Sequence, residues 1–305
     1  MADDVYDVLI IGGGMAGLGA GLYAGRLHMH AAIISEIIGG AILMTKDIEN
    51  YPGFKDISGI ELTDRIHEQV KAHGIKIIEN NASKIEKSKD GFKVYAGENS
   101  YSSRTVIIVT GTEWRKLNVS GEKEFTGRGV HYCALCDAPF YKDKVIGIVG
   151  GSDSALKEAM MLSTYGTKVY VINRTEKLRA EPRNIKKIHE NKKIELILNT
   201  RIVEIKGNKF IEHVVFDKPY KGKNDFKLDG LFIDIGRIPV CDLAKSISAA
   251  LNEKDEIITN DNCETNIPGL FAAGDVTNSQ FKQAVIAVAD GVKAANSAYR
   301  YVKDN

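Results

Sequence analysis

The sequence predicts an α/β fold in which one βαβ unit is interrupted by a second, and three observations carry that reading. An apolar run feeding a glycine turn and a small-residue helix occurs at "VYDVLIIGGGMAGLGAGLYAGRL" and again at "KVIGIVGGSDSALKEAMMLSTYG". Each is followed by a further apolar strand, "AAIIS" and "KVYVI". Late in the chain, "GLFAAGDV" reads as a short buried strand whose glycine lets the following acid approach a ligand, and a helix with small residues on one face follows it. That last piece completes the first unit from the far end of the chain.

The first strand is expected over Val5–Ile11. Gly12, Gly14 and Gly17 then fill a G-x-G-x-x-G pattern: one glycine for the tight turn, one for close backbone approach to a pyrophosphate, one for packing the helix on the strand. The helix N-terminus would face the phosphates. The next strand ends in Glu36, about twenty residues on, where a carboxylate can bond a ribose hydroxyl. In the second unit, strand Val145–Val149 enters Gly150-Gly151-Ser152-Asp153-Ser154-Ala155, and strand Lys168–Ile172 ends beside Asn173 and Arg174. The fold class expected is therefore α/β with two Rossmann-like dinucleotide-binding domains, the second inserted into the first. The first domain would span residues 1–116 and 245–305 and the second 117–244, with hinges near Glu113–Asn118 and Asp242–Ser246. Two such folds in one chain suggest electron transfer between two dinucleotides, each with its own cradle.

At 305 residues and 44% hydrophobic, the chain can bury a core large enough for two domains. Its formal charge of +1 gives no field that would favour nucleic acid or anionic lipid. The start "MADDVYDVLIIGGG" has no basic region ahead of an apolar stretch, and no uncharged apolar run reaches membrane-spanning length. A cytoplasmic protein, bound to neither membrane nor nucleic acid, is expected.

Four cysteines are too few for a secreted disulfide scaffold, and a lone C-x-x-C in such a chain points to metal binding or redox catalysis. The pair is Cys133 and Cys136 in "HYCALCDAPFY", followed at once by Asp137. A closed zinc site needs four ligands, usually as two close pairs, whereas Cys241 and Cys263 stand alone, so no metal is expected. Those two read as small apolar residues, and His131 as a packing or solvated side chain.

In order along the chain, "GGGMAG", "IENYPG", "IIVTGT", "GRGVHYCALCD", "GGSDSA", "RTEKLRA", "FAAGDV" and "KQAVIAVADG" resemble the low-molecular-weight thioredoxin reductase family. The resemblance implies FAD over Gly12, Gly14 and Gly17, with Glu36 on the adenosine ribose and Gly39-Gly40 along the phosphates. It implies Asn50 and Thr110-Gly111 close to the cofactor, Asp275 on the ribitol chain, and Gln283-Ala284 presenting backbone to the isoalloxazine. It also implies NADPH on Gly150, Ser152, Asp153, Ser154, Arg174 and Arg179. By the same likeness Cys136 receives electrons from the flavin, Cys133 attacks the disulfide of a thioredoxin or glutaredoxin-like protein, and Asp137 is the general acid and base. A homodimer and a rotation of the inserted domain between the hinges belong to the same expectation. The chemistry suits the spacing: a thiolate attacks a disulfide sulfur, and a resolving thiol close by releases the mixed disulfide.

Three departures from the family pattern fall near the cofactors. Ser152 stands where a glycine is usual, placing a Cβ and hydroxyl at the close-approach position. Thr175 replaces the middle arginine of the phosphate-binding stretch, and Ala41 replaces a glutamine after Gly39-Gly40. They leave reduced deazaflavin or ferredoxin as alternative donors to NADPH. A flavin-binding redox sensor or scaffold with an inactive donor site is the rival of another class.

Overall fold

The computed structural model describes residues 5–45 and 48–305, the side chains of Met44, Leu135 and Cys136 excepted. The chain separates into two compact units, Met1–Glu113 with Ile238–Asn305, and Trp114–Arg237. In the first unit, β1 (Val5–Gly14) leads into α1 (Met15–Arg26), β2 (Ala31–Gly39), α2 (Gly59–Ala72) and β3 (Lys76–Ile78). Strands β4 (Ala82–Ser88), β5 (Gly91–Ala96) and β6 (Asn99–Ile108) follow, and β7 (Thr112–Trp114) carries the chain out.

The second unit contains α3 (Glu122–Phe125), β8 (Val130–His131), α4 (Ala134–Asp137), β9 (Val145–Val149), α5 (Asp153–Tyr165), β10 (Lys168–Ile172), α6 (Pro182–Glu190) and β11 (Ile194–Ile197). Strands β12 (Ile202–Gly207), β13 (Ile211–Tyr220), β14 (Lys223–Lys227) and β15 (Gly230–Ile233) complete it, and β16 (Arg237–Pro239) pairs with β7 where the chain returns. Back in the first unit come α7 (Asp242–Ser246), one of the two expected hinge segments, then β17 (Leu270–Ala272) and α8 (Ala284–Asp304).

Each unit is built around parallel strands with the glycine-turn strand among them; in the first unit β5 and β4 extend the sheet antiparallel beyond β6. The first sheet runs β3-β2-β1-β6-β5-β4, with β17 on the far half of β6 through Leu270↔Val106 and Ala272↔Ile108. The second runs β11-β10-β9-β15-β8. In both, the chain moves from the glycine strand to one neighbour and later returns on the other side. That reversal opens a crevice at the carboxyl ends of β1 and of β9.

The strands are apolar at consecutive positions because both faces are covered. Val8 and Ile10 enter one core with Leu18, Leu62 and Ala294, while Leu9 and Ile11 enter the opposite one with Ile34, Val94 and Ile257. Each such fully buried side chain contributes roughly 1.5–3 kcal/mol. The small residues of α1 and α8 let these helices meet backbone to backbone. A Cβ on Gly19 would lie 2.6 Å from the Val288 carbonyl oxygen, and one on Gly291 would lie 2.0 Å from that of Ala16.

The first strand and its partner run longer than the sequence suggested. Glu36 does not end β2, because after a bulge Gly13 and Gly14 pair with Ile38 and Gly39 and extend the ladder into the glycine turn.

Candidate functional site

The glycine turn of the first unit is shaped by two different requirements. Gly12 has φ +118°, and a Cβ there would lie 2.4 Å from the Val109 carbonyl oxygen; a Cβ on Gly17 would lie 2.0 Å from the Gly12 oxygen. The protein's own packing demands both. Gly14 differs: a Cβ there would meet only the Gly39 oxygen, at 3.8 Å. Its bareness is unexplained by neighbouring protein atoms and fits close approach of a ligand's phosphates at the N-terminus of α1.

Other residues expected around FAD fall in the same unit. Gly39-Gly40 lie at the end of β2 beside Gly14, and the Glu36 carboxylate accepts a hydrogen bond from Asn81 Nδ2. Asn50 donates through Nδ2 to Gln283 Oε1 at 3.0 Å, tying residues 233 positions apart. Gln283 is the extended residue that precedes Ala284, the first of α8. Thr110 Oγ1 donates to the Val240 carbonyl at 2.6 Å, and Gly111, with φ +67°, has nothing within 4 Å of its absent Cβ. Asp275 lies in a 3₁₀ turn after β17, where its carbonyl accepts from Lys282 Nζ at 2.9 Å.

In the second unit Gly150 plays the part of Gly12: a Cβ there would lie 2.2 Å from the Asp234 carbonyl oxygen. Ser152 takes an N-cap conformation, its Oγ 3.4 Å from the Ala155 amide as acceptor and 2.9 Å from Ser154 Oγ. A hydroxyl thus lies over the helix end that anions favour. Asp153 turns away: its carboxylate accepts from the Glu181 amide at 2.8 Å and from Asn184 Nδ2 at 2.7 Å, and the Asn184 bond, with the Glu181 amide, holds its pKa below the ordinary carboxylate range.

The loop after β10 is held by Asn173, whose Nδ2 donates to the Thr175 carbonyl at 2.9 Å and to Thr175 Oγ1 at 3.0 Å. Thr175 therefore shapes the loop rather than adding charge. Arg174 and Arg179 are exposed, and among the described residues neither guanidinium forms an ion pair. The Arg179 amide donates to the Gly151 carbonyl at 2.7 Å, which fixes the second loop beside the glycine turn.

Nothing in the sequence marked two acids on that crevice. Glu158 in α5 and Asp234 after β15 each bury a carboxyl oxygen without a hydrogen-bond partner among the described residues. Burial first, then the nearby Asp234 charge, pushes the Glu158 carboxyl up to about 8, with Arg237 opposing. The raised value means that folding favours the proton, so this contribution to stability is intact below about 4.5 and is lost as pH rises towards 8. Glu158→Gln should remove that loss, making the variant more stable than the parent at pH 9 by a few kcal/mol. Urea unfolding at pH 5 and pH 9 measures it, and an equal effect at both would contradict it.

The C-x-x-C segment lies at the start of α4. Cys133 directly precedes the helix and is buried, Cys136 lies within it, and the Asp137 amide donates to the Cys133 carbonyl at 3.3 Å. The Cys136 side chain lies outside the described residues, as does any bond it makes. His131 is packed, one of the two readings the sequence left for it, and its ring also makes polar contacts: Nδ1 is 3.0 Å from Asp137 Oδ2 and Nε2 is 2.7 Å from the Tyr141 hydroxyl. A short strand places it there, since β8 pairs His131 with Phe232 of β15, whose ring it stacks on. Cys241 and Cys263 are buried apart from this segment, as expected of small apolar residues. Among the described residues no group of three or more acids, histidines or cysteines could hold a metal, and no helix is long and apolar enough to cross a membrane.

Residues 6–291 match the pyridine nucleotide-disulphide oxidoreductase family model. The thioredoxin reductase of Bacillus subtilis is 38% identical over 305 residues, covering 99% of this chain and 96% of its own. The crystal structure of the Lactococcus lactis thioredoxin reductase superposes with a TM-score of 0.91 at 37% identity, covering 98% of this chain and all of that one. That of T. acidophilum thioredoxin reductase gives 0.88 at 34%, covering 98% and 99%. The doubly dinucleotide-binding α/β fold expected from the sequence is the fold of these structures. Matched from end to end by relatives of one kind, the chain belongs to the pyridine nucleotide-disulphide oxidoreductases, in their thioredoxin reductase branch.

Proposed function

We propose that the protein reduces the disulfide of a thioredoxin or glutaredoxin-like partner with electrons from NADPH, passed through FAD to Cys133–Cys136. The observation that carries this is the placement of Cys133 directly before, and Cys136 and Asp137 within, one short helix in the unit that also holds the second glycine turn. Cys133 stands at the N-terminus of that helix, where a thiolate is favoured, and Asp137 follows Cys136 directly in the chain as a carboxylate for proton transfer. FAD, when bound, would supply two-electron transfer between the donor and a disulfide.

The residues that would hold FAD are Gly12, Gly14 and Gly17 with Gly39-Gly40 around the pyrophosphate, Glu36 at the ribose, and Asp275 at the ribitol. Asn50, Thr110-Gly111 and Gln283-Ala284 would border the ring. The open face of Gly14 supports the phosphate assignment, and the Asn50–Gln283 bond supports the grouping of the last.

NADPH is favoured as donor by the exposed Arg174 and Arg179 guanidinium groups, which suit a 2′-phosphate. Gly150, Ser152 and Ser154 would lie along its pyrophosphate, while Asp153 would support the turn through α6. Arg174→Ala and Arg179→Ala should each raise KM for NADPH about ten- to a hundredfold, leaving NADH nearly unaffected, as loss of one charge-assisted contact requires. Equal effects on both nucleotides would contradict a phosphate contact.

The Ser152 hydroxyl over the α5 terminus favours a second reading, in which reduced deazaflavin or ferredoxin replaces NADPH. Anaerobic mixing of the flavin-loaded protein with NADPH, NADH, reduced deazaflavin and reduced ferredoxin, followed by flavin absorbance, separates them. Fast bleaching by NADPH is the expected result. Bleaching by another donor alone would move the donor assignment, and bleaching by none would favour a redox sensor.

A further inference from the structure

The Asp137–His131–Tyr141 chain is fully engaged. Whenever Asp137 is ionised its carboxylate only accepts hydrogen bonds, and the proton between it and His131 Nδ1, 3.0 Å from Oδ2, is then on the ring. In the neutral ring Nε2 then holds a lone pair, filled by the Tyr141 O–H at 2.7 Å. Burial, then the charges of Asp137 and Asp229, pushes the Tyr141 phenol up to about 12, so it keeps its proton. If the ring gains a proton, Nε2–H donates and the phenol oxygen accepts. Both bonds survive either state.

The surroundings hold this geometry. His131 is only 10% exposed and stacks on Phe232 at 5.4 Å. Tyr141 packs edge-on to Phe232 and fills the space over Gly230, where a Cβ would lie 2.2 Å from its ring. The titratable groups that face the imidazole are Asp137 from α4 and Tyr141 from the turn after it; β15 contributes the uncharged Phe232, and Asp229 bears on Tyr141.

We propose that His131 is a positioning residue for Asp137, fixing its carboxylate and holding a second proton one hydrogen bond behind it. This rests on Cys133–Cys136 being the redox pair. In partner reduction the Cys133 thiolate bonds to one partner sulfur, the partner S–S bond breaks, and the other partner sulfur leaves as a thiolate that takes a proton. The Cys136 thiol then gives up its proton and attacks Cys133, and the first partner sulfur leaves and is protonated in turn. The partner gains two electrons and two protons; the enzyme pair loses the two electrons and the Cys136 proton, and the second proton is the one Cys133 released on becoming a thiolate. Asp137 carries one proton at a time, and His131 reloads or relieves it.

The test uses flavin-loaded His131→Asn, His131→Phe and Tyr141→Phe. Asparagine retains an N–H at the Nδ1 position but cannot titrate; phenylalanine retains the stacking alone. Turnover of a purified thioredoxin is measured against pH, and so is alkylation of the cysteines after reduction by dithiothreitol. His131→Phe should lower kcat about tenfold or more with KM for thioredoxin unchanged, and shift the alkylation profile. His131→Asn should recover much of kcat at the optimum yet lose an ionisation from the profile, and Tyr141→Phe should lie between it and the parent. Parental kcat and alkylation profiles in both His131 variants would overturn the proposal, as would equal losses in both with the alkylation profile unmoved. Turnover surviving Cys136→Ser would instead remove the redox pair, whatever His131 does.

Discussion

Cys136→Ser should abolish reduction of a thioredoxin disulfide, by at least about a thousandfold, while FAD stays bound and the donor still reduces it. The size follows from the chemistry. Without a second sulfur, Cys133 can attack a partner but cannot be released from it, so each molecule stops at a mixed disulfide. No other thiol replaces it: Cys241 and Cys263 are buried in the first unit, and burial pushes the Cys263 thiol up to about 11, where little thiolate exists at neutral pH. Cys263→Ala should therefore leave turnover unchanged. Trapping of the partner by Cys136→Ser, seen as a reducible conjugate on a gel, checks the same point independently. Retained turnover would contradict it.

Substitutions at two glycines of the first turn should separate folding from cofactor binding. Gly17→Ala places a Cβ 2.0 Å from the Gly12 oxygen, so the α1–β1 packing must shift and stability should fall by about 2 kcal/mol or more with or without FAD. Gly14→Asp meets open space and puts a good capping side chain ahead of α1, in an extended residue suited to it. The apoprotein should melt no lower than the parent. Its carboxylate would occupy the phosphate position, so FAD affinity should drop at least a hundredfold. Melting of apoprotein and FAD titration by fluorescence read the two effects apart. A Gly14→Asp protein that binds FAD normally would place the phosphates elsewhere.

Much of this was legible because the requirements are local. Gly12 and Gly17 are demanded by atoms a few residues away or on the adjoining strand, and such demands leave a fixed spacing in the sequence. The consecutive apolar residues of β1 and β9 announced strands. Ser152 and Thr175 were visible as departures, but not that one caps α5 and the other takes a bond from Asn173. Those roles depend on loop geometry.

What could not be read depends on contacts between distant segments. Nothing near Asn50 points to Gln283. His131 drew no functional reading because a single histidine carries no spacing signal, and only the pairing of β8 with β15 sets it against Phe232 and between Asp137 and Tyr141. Glu158 carries no spacing signal, and only the fold places Asp234 beside it. The antiparallel run β4-β5-β6 was likewise missed, since its alternating polar residues carry no motif.

Where the electrons arrive decides between a disulfide reductase and any other flavoprotein. Oxidised, flavin-loaded protein is mixed anaerobically with excess NADPH, quenched with an alkylating reagent, and mapped by mass spectrometry with and without oxidised thioredoxin. The expected result is new labelling at Cys133 and Cys136 together, lost again when oxidised thioredoxin is added in excess over the NADPH, with Cys241 and Cys263 unchanged. Reduction of the flavin with no new label at Cys133 and Cys136 would contradict a disulfide reductase built on that pair.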